Sequence, residues 1–164
     1  MASGPIVIRT ATADDVPVIL AFIRELAEYE RLSDAVVATE ASLTTALFGQ
    51  APAAEVLIAE LDGAPAGFAL FFHNFSTFLS RRGLYLEDLY VRPAHRRLGI
   101  GRALFRRLAA LAVERGCGRM EWSVLDWNES AQRFYEGLGA VPMDEWTTYR
   151  LTGAALEALG RAAT

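Results

Sequence analysis

Hydrophobic and polar positions follow two alternating periods along this chain, and each change of period marks an element. Ile6-Val-Ile-Arg-Thr10 is a short β-rich run, and Thr12-Ala-Asp-Asp15 behind it offers an N-cap with acidic first-turn residues. Val16, Ile19, Leu20, Ile23, Leu26 and Ala27 then recur at helical spacing, which predicts a helix to about Tyr29. A second helix is predicted from Thr39 to Phe48, stopped by Gly49 and Pro52. Glu55 to Leu61 and Ala66 to Asn74 flank Asp62-Gly63, a two-residue hairpin signal, so they read as paired antiparallel strands.

Gly83 to Val91 reads as a further strand, Gly101 to Arg115 as a helix closed by Gly116 and Gly118, and Met120 to Leu125 as a strand. Asn128 can cap a helix whose apolar residues Ala131, Phe134, Tyr135 and Leu138 keep the i, i+3, i+4, i+7 pattern before Gly139. Trp146 to Leu151 is predicted as a last strand, followed by an Ala-rich tail able to form a helical turn. The order β-α-α-β-β-β-α-β-α-β predicts an α/β fold with a mixed, mostly antiparallel sheet flanked by helices. One domain is expected over residues 1–164, with its core at about 6–151 and a short C-terminal tail.

Composition narrows the function. No apolar run approaches the roughly 18 to 20 residues that a bilayer span requires. The first residues lack a basic stretch followed by an apolar one, and Cys117 is the single cysteine, so secretion has no support and a cytoplasmic protein is expected. Cys117 stands between glycines, away from every motif, with no histidine or base paired to it in sequence. His73 and His95 are the other candidate metal ligands of that class, and their spacing predicts no metal site. The net charge of −4 argues against general nucleic-acid affinity, yet six arginines crowd between Arg92 and Arg107. They form either a solvated helix face or a phosphate site.

The strand Leu84 to Val91 runs through Arg92-Pro-Ala-His-Arg-Arg-Leu-Gly-Ile-Gly101 directly into an amphipathic helix. Glycines at 99 and 101 leave the backbone open, the helix start offers unpaired N–H groups, and Arg96, Arg97 and Arg102 add charge, an arrangement suited to phosphate. Gly-Lys-Ser/Thr is missing, and so is the third glycine of a dinucleotide fingerprint. Arg96-x-x-Gly99-x-Gly101 resembles the acetyl-CoA signature of the Gcn5-related N-acetyltransferases. Ile23 to Glu30, Tyr85 to Val91, Val124 to Asn128 and Phe134 to Ala140 are similar to the diamine and thialysine branch of that family.

The resemblance implies an acetyl-CoA-dependent N-acetyltransferase that moves an acetyl group directly to the primary amine of a small cation, and a homodimer without nucleic-acid or membrane partners. Alternatives keep the chemistry with a protein lysine or amine drug as acceptor, or keep CoA binding without turnover. By the same resemblance the cosubstrate lies on Leu89, Tyr90, Val91, Arg96, Arg97, Leu98, Gly99, Ile100, Gly101, Arg102, Asn128 and Tyr135, with no metal. Tyr135 is implied as the acid that protonates the leaving sulfur, or else a helix core residue. Asn128 is a helix cap, a contact to the pantetheine arm, or both.

Two acids in a strand as apolar as Leu84 to Val91 need compensation, by an arginine or by a function. Glu87 and Asp88 point to opposite faces of a regular strand, or meet substrate together at a local irregularity. By resemblance Glu87 is the base, acting through a water, while Glu28, Glu30, Asp34, Asp88 and Asp126 are candidates to draw the cation. Trp122 and Trp127 either wall a substrate pocket or pack in the core, and the core is the expectation. The Asp62-Gly63 hairpin and the stretch from Pro142 to Trp146 are shorter than in the animal members of the branch, and these departures bear on acceptor identity.

Overall fold

A computed structural model describes residues 4–162. The terminal residues 1–3, on which the leader expectation partly rests, and 163–164 lie outside them. Residues up to Leu125 form one compact unit and those from Asp126 onward a second.

The first unit is a five-stranded sheet in the order β1-β2-β3-β4-β5, with β1 Ile6–Thr10, β2 Glu55–Leu61, β3 Ala64–Ser76, β4 Arg81–Val91 and β5 Met120–Trp122. All ladders are antiparallel except β4 with β5. Asp62 and Gly63 both take positive φ, 54° and 77°, the left-handed pair that a two-residue turn between twisted strands requires. Helices α1 (Val16–Tyr29) and α2 (Glu40–Phe48) precede β2, and α3 (Ile100–Glu114) joins β4 to β5.

Val56 to Ala59 and Ala66 to Ala69 are buried without a break, because helices cover both faces of the central strands. On one face α1 packs Ile19 and Phe22 on Ile58, Phe68 and Tyr90, with the Phe22 and Phe68 rings stacked at 5.3 Å. α3 buries Ile100, Leu104, Phe105, Leu108 and Leu111, and Phe105 meets Trp122 edge-on at 5.0 Å. Trp122 therefore packs as expected. At the entrance to α1, the Asp15 carboxylate accepts from the Thr12 N–H at 2.7 Å and from two Arg9 nitrogens at 2.7 and 2.9 Å, and Arg9 also donates to Glu60 at 2.7 Å.

The second unit holds α4 (Glu129–Glu136) and α5 (Gly153–Arg161). The strand expected at Trp146 to Leu151 is absent, and β5 stops three residues short of Leu125. A β-rich run becomes a strand only when a neighbour takes its N–H and C=O groups, and none of the four ladders includes this one. The Ala-rich tail forms a full nine-residue helix instead of a turn. Trp127, in the second unit, is 48% exposed rather than buried as expected.

Candidate functional site

Four features of the first unit meet at the C-terminal end of β4. Leu70 pairs with Asp88 and Phe71 with Leu86, so Glu87 is an extra residue without a partner on β3, a β-bulge. The irregularity that two adjacent acids call for lies on those acids. Bulging breaks the strict alternation of faces. Asp88 is half-buried, and that burial, followed by the charges of Glu87 and Glu30, pushes its carboxyl up to about 6. Burial also raises Glu30 above the usual carboxylate range. Glu87 is exposed.

The second feature is a divergence of strands. β5 pairs with β4 only at Leu84, Tyr85 and Leu86. From Glu87 to Val91, β4 keeps β3 on one side and has no ladder partner on the other, so alternate backbone groups there stay open to a ligand. Leu89 is half-buried, and the Tyr90 side chain sits in the core, so Tyr90 offers only its backbone.

Third, the loop that follows is shaped as a concavity of N–H groups. Arg97 has φ 65° and Gly99 φ 89°, and α3 begins at Ile100. A Cβ at Gly99 would meet nothing within 4 Å, so the glycine serves the left-handed backbone rather than a tight fit. Ile100 buries its side chain and can contribute only its N–H, Gly101 lies in the first turn of α3, and Leu98 is exposed. Arg97 and Arg102 make no ion pair among the described residues, whereas Arg96 is partly committed. Its Nε donates to the Val91 carbonyl at 3.0 Å and its guanidinium lies 4.9 Å from the Tyr29 ring centroid.

Fourth, α1 is fastened to this end of β4 by pairings that the sequence reading did not single out. Arg92 donates to both oxygens of Glu25, at 3.0 to 3.2 Å, and to the Pro65 carbonyl at 3.2 Å. Glu25 and Tyr29 stand one turn apart on α1, and that i, i+4 spacing opposite Arg92 and Arg96 was the available signal. The two clamps hold the C-terminal end of α1, and so bring Glu30 to Asp88. Glu28 and Asp34 are exposed, and the charges felt at Asp88 are those of Glu87 and Glu30.

In the second unit the Asn128 Oδ1 accepts from the Ala131 N–H at 3.2 Å, the expected cap. Tyr135 is half-buried on α4 with its ring 5.7 Å from Phe134, and Asp126 is exposed. The expectation that Cys117 has no histidine nearby is corrected, since β3 brings His73 Nδ1 to 3.8 Å from its Sγ. Arg115 donates to His73 Nε2 at 2.9 Å, which places the ring proton on Nδ1. That proton is donated to the Gly83 carbonyl at 3.0 Å, so His73 is not a base for the sulfur, and α3, about 22 Å long, separates it from the loop at Gly99.

Residues 21–140 match the Acetyltransferase (GNAT) family. The chain belongs to this family. It is 39% identical over 165 residues to the thialysine N-epsilon-acetyltransferase of Bos taurus, covering 94% of this chain and 96% of that protein. It is 36% identical over 199 residues to the L-ornithine N5-acetyltransferase NATA1 of Arabidopsis thaliana, covering 94% and 87%. An integron cassette protein from the mobile metagenome of V. cholerae superposes with a TM-score of 0.80 at 27% identity, over 95% of this chain and 98% of that one. The α/β fold with its mixed, mostly antiparallel sheet is that of GNAT acetyltransferases, and the chain is an acetyl-CoA-dependent N-acetyltransferase. No helix among the described residues is long and apolar enough to cross a membrane.

Proposed function

We propose that this GNAT enzyme acetylates the primary amine of a small, multiply charged cation, such as a polyamine, thialysine or a lysine-like compound. The observation that carries this reading is the trio Glu30, Glu87 and Asp88. These are three carboxylates, close enough to raise one of their number, with no cation paired to them among the described residues. Such an arrangement costs energy that an incoming ammonium group returns. The names of the relatives, a thialysine and an ornithine N-acetyltransferase, agree with it.

An alkyl ammonium of pKa about 10.4 is neutral in roughly one molecule in 2,500 at pH 7, a handicap of about 4.6 kcal/mol. A nearby base removes it. Between the two acids on β4 we assign the proton acceptor to Asp88, in place of the water-linked Glu87 that family resemblance suggests. A half-buried carboxyl with a pKa of about 6 holds a proton better than an exposed one. Glu87 and Glu30 then draw and orient the cation.

The cosubstrate supplies an acetyl thioester. The Arg97 to Gly99 concavity, the N-terminal turn of α3 with Gly101, and the side chains of Arg97 and Arg102 would hold its phosphates. Open N–H groups between Glu87 and Val91 would accept the developing charge on the acetyl oxygen. Tyr135 would give its proton to the departing sulfur, and Asn128 would touch the pantetheine arm besides capping α4.

The family match runs from the first unit into the second, as far as residue 140, and the relatives align with 94% of the chain, which supports one N-acetyltransferase domain. We further propose a cytoplasmic homodimer. Val141, Met143, Trp146, Tyr149 and Leu159 are exposed in the second unit, apolar surface that a second subunit would cover. The decisive experiment is a panel of amines with acetyl-CoA, reading thiol release as kcat/KM. Diamines and ω-amino amino acids should lead monoamines of equal length. CoA binding with no turnover on any amine would sink the proposal in favour of a non-catalytic CoA-binding protein.

A further inference from the structure

We propose that the opposite end of the sheet carries a second binding site, for a small monocarboxylate with an apolar body. A cavity of about 540 Å³ opens there between the segment leading into β2, the C-terminal part of β3 and the start of β4. That volume lies within the usual range for small-molecule sites, although the depression is open to solvent, with Arg82 and Phe75 both exposed. Pro52, Phe72 and Phe75 give it apolar walls, and Glu55, His73, Asn74 and Arg82 are its polar groups.

Their commitments decide the sign of the ligand. Both Glu55 oxygens already accept from Arg115, at 2.6 and 2.9 Å, so its charge is answered. His73 accepts from Arg115 at Nε2 and donates from Nδ1 to the Gly83 carbonyl at 3.0 Å, which uses both ring nitrogens in the neutral form. The side chains of Asn74 and Arg82 have no hydrogen bond or ion pair among the described residues. What remains is one uncompensated guanidinium beside a free carboxamide.

The Asn74 amide has room made for it. Asn74 pairs across the ladder with Gly83, where a Cβ would come within 2.3 Å of its Oδ1. Glycine at that position lets the amide lie over β4 at the cavity. A carboxylate suits the fork of Arg82, with Asn74 donating to it and the aromatic walls taking the apolar body. A dianion suits it less well, because the one uncompensated guanidinium of Arg82 answers a single negative charge. Arg82 and Glu87 are five positions apart on β4, about 17 Å along the strand, so this site is distinct from the one proposed for acetyl-CoA and the amine.

The test is calorimetric titration of the full chain with 2-naphthoate in the presence of saturating CoA. A ligand of this size should bind at one site with Kd of about 1 mM. Arg82→Gln should weaken it at least tenfold and Phe75→Ala severalfold, while acetylation of a good amine by both variants stays at the parent rate and shows them folded. 2-Naphthalenemethanol, which lacks the charge, should bind at least tenfold more weakly than 2-naphthoate. The proposal is overturned if 2-naphthoate shows no saturable binding, if CoA displaces it, if Arg82→Gln leaves its affinity unchanged, or if the alcohol binds equally well.

Discussion

Two acidic sites in the first unit have opposite surroundings. At the entrance to α1, Asp15 is buried and Arg9 meets it with two hydrogen bonds, so its carboxyl lies below the usual range, first through those bonds and against the cost of burial. At the end of β4, Asp88 is half-buried with two further acids nearby, and its carboxyl is raised instead. The chain contains 16 arginines, so cations were available to both sites. The fold supplies one where an acid builds structure and withholds one where, in our proposal, the substrate brings it. The comparison can be broken by removing each acid and asking whether activity or stability is lost.

The largest effect is expected at Asp88. Asp88→Asn should lower kcat/KM for a diamine by about 10³-fold, within the usual span for a lost general base, while leaving thermal stability equal or slightly improved. The acid limb of the parent's kcat/KM profile, with its midpoint near pH 6, should vanish in this variant. If Asp88→Asn keeps that limb and Glu87→Gln loses it, the base is Glu87. Tyr135→Phe makes a useful contrast. It should reduce kcat by about 10²-fold and preserve the acid limb, because it removes a proton donor from a different step. Full kcat with chemistry rate-limiting would return Tyr135 to a packing role.

How much of this was legible in the sequence depends on the range of the forces involved. The α1 stripe, the Asp62-Gly63 turn and the Asn128 cap are settled by neighbours within a few residues, and all appear where local pattern puts them. Trp146 to Leu151 has the composition of a strand, but pairing is a property of two segments, and composition reports only one. The same limit applies at the candidate site. The oddity of Glu87-Asp88 in an apolar strand is visible in sequence, and with it the prospect of an irregularity. Which acid is the more buried, and that Glu30 rather than Glu28 approaches it, depend on the register of β3 against β4 and on Arg92 holding Glu25 from 67 positions away. The proximity of Cys117 to His73 is equally non-local.

At the structural acid the expectation reverses. Asp15→Asn should leave kcat/KM near the parent value and cost about 2 kcal/mol of folding stability, a figure reduced because Arg9 is itself 34% exposed. Chemical denaturation reads it directly. Loss of activity without loss of stability would mean that the two acidic sites are not divided as proposed.

The smallest effect is the pH dependence of stability, and it tests both sites in one measurement. Asp15 has a folded-state pKa below its ordinary 3.8, so its contribution is present above pH 3.8 and fades as pH falls through the lower, folded value. Asp88 has the opposite sign. Its folded pKa of about 6 exceeds the unfolded 3.8, so ionising it penalises the fold above pH 6, and the penalty disappears between pH 6 and 3.8. Stability should therefore rise on the order of 1 kcal/mol from pH 7 to about pH 5, then drop below pH 4. Asp88→Asn should abolish the rise and keep the drop, and Asp15→Asn should do the reverse. A saturating diamine without acetyl-CoA should also abolish the rise, because its ammonium group supplies the cation that this cluster lacks. If the rise survives saturating diamine, the three acids are not where the substrate binds.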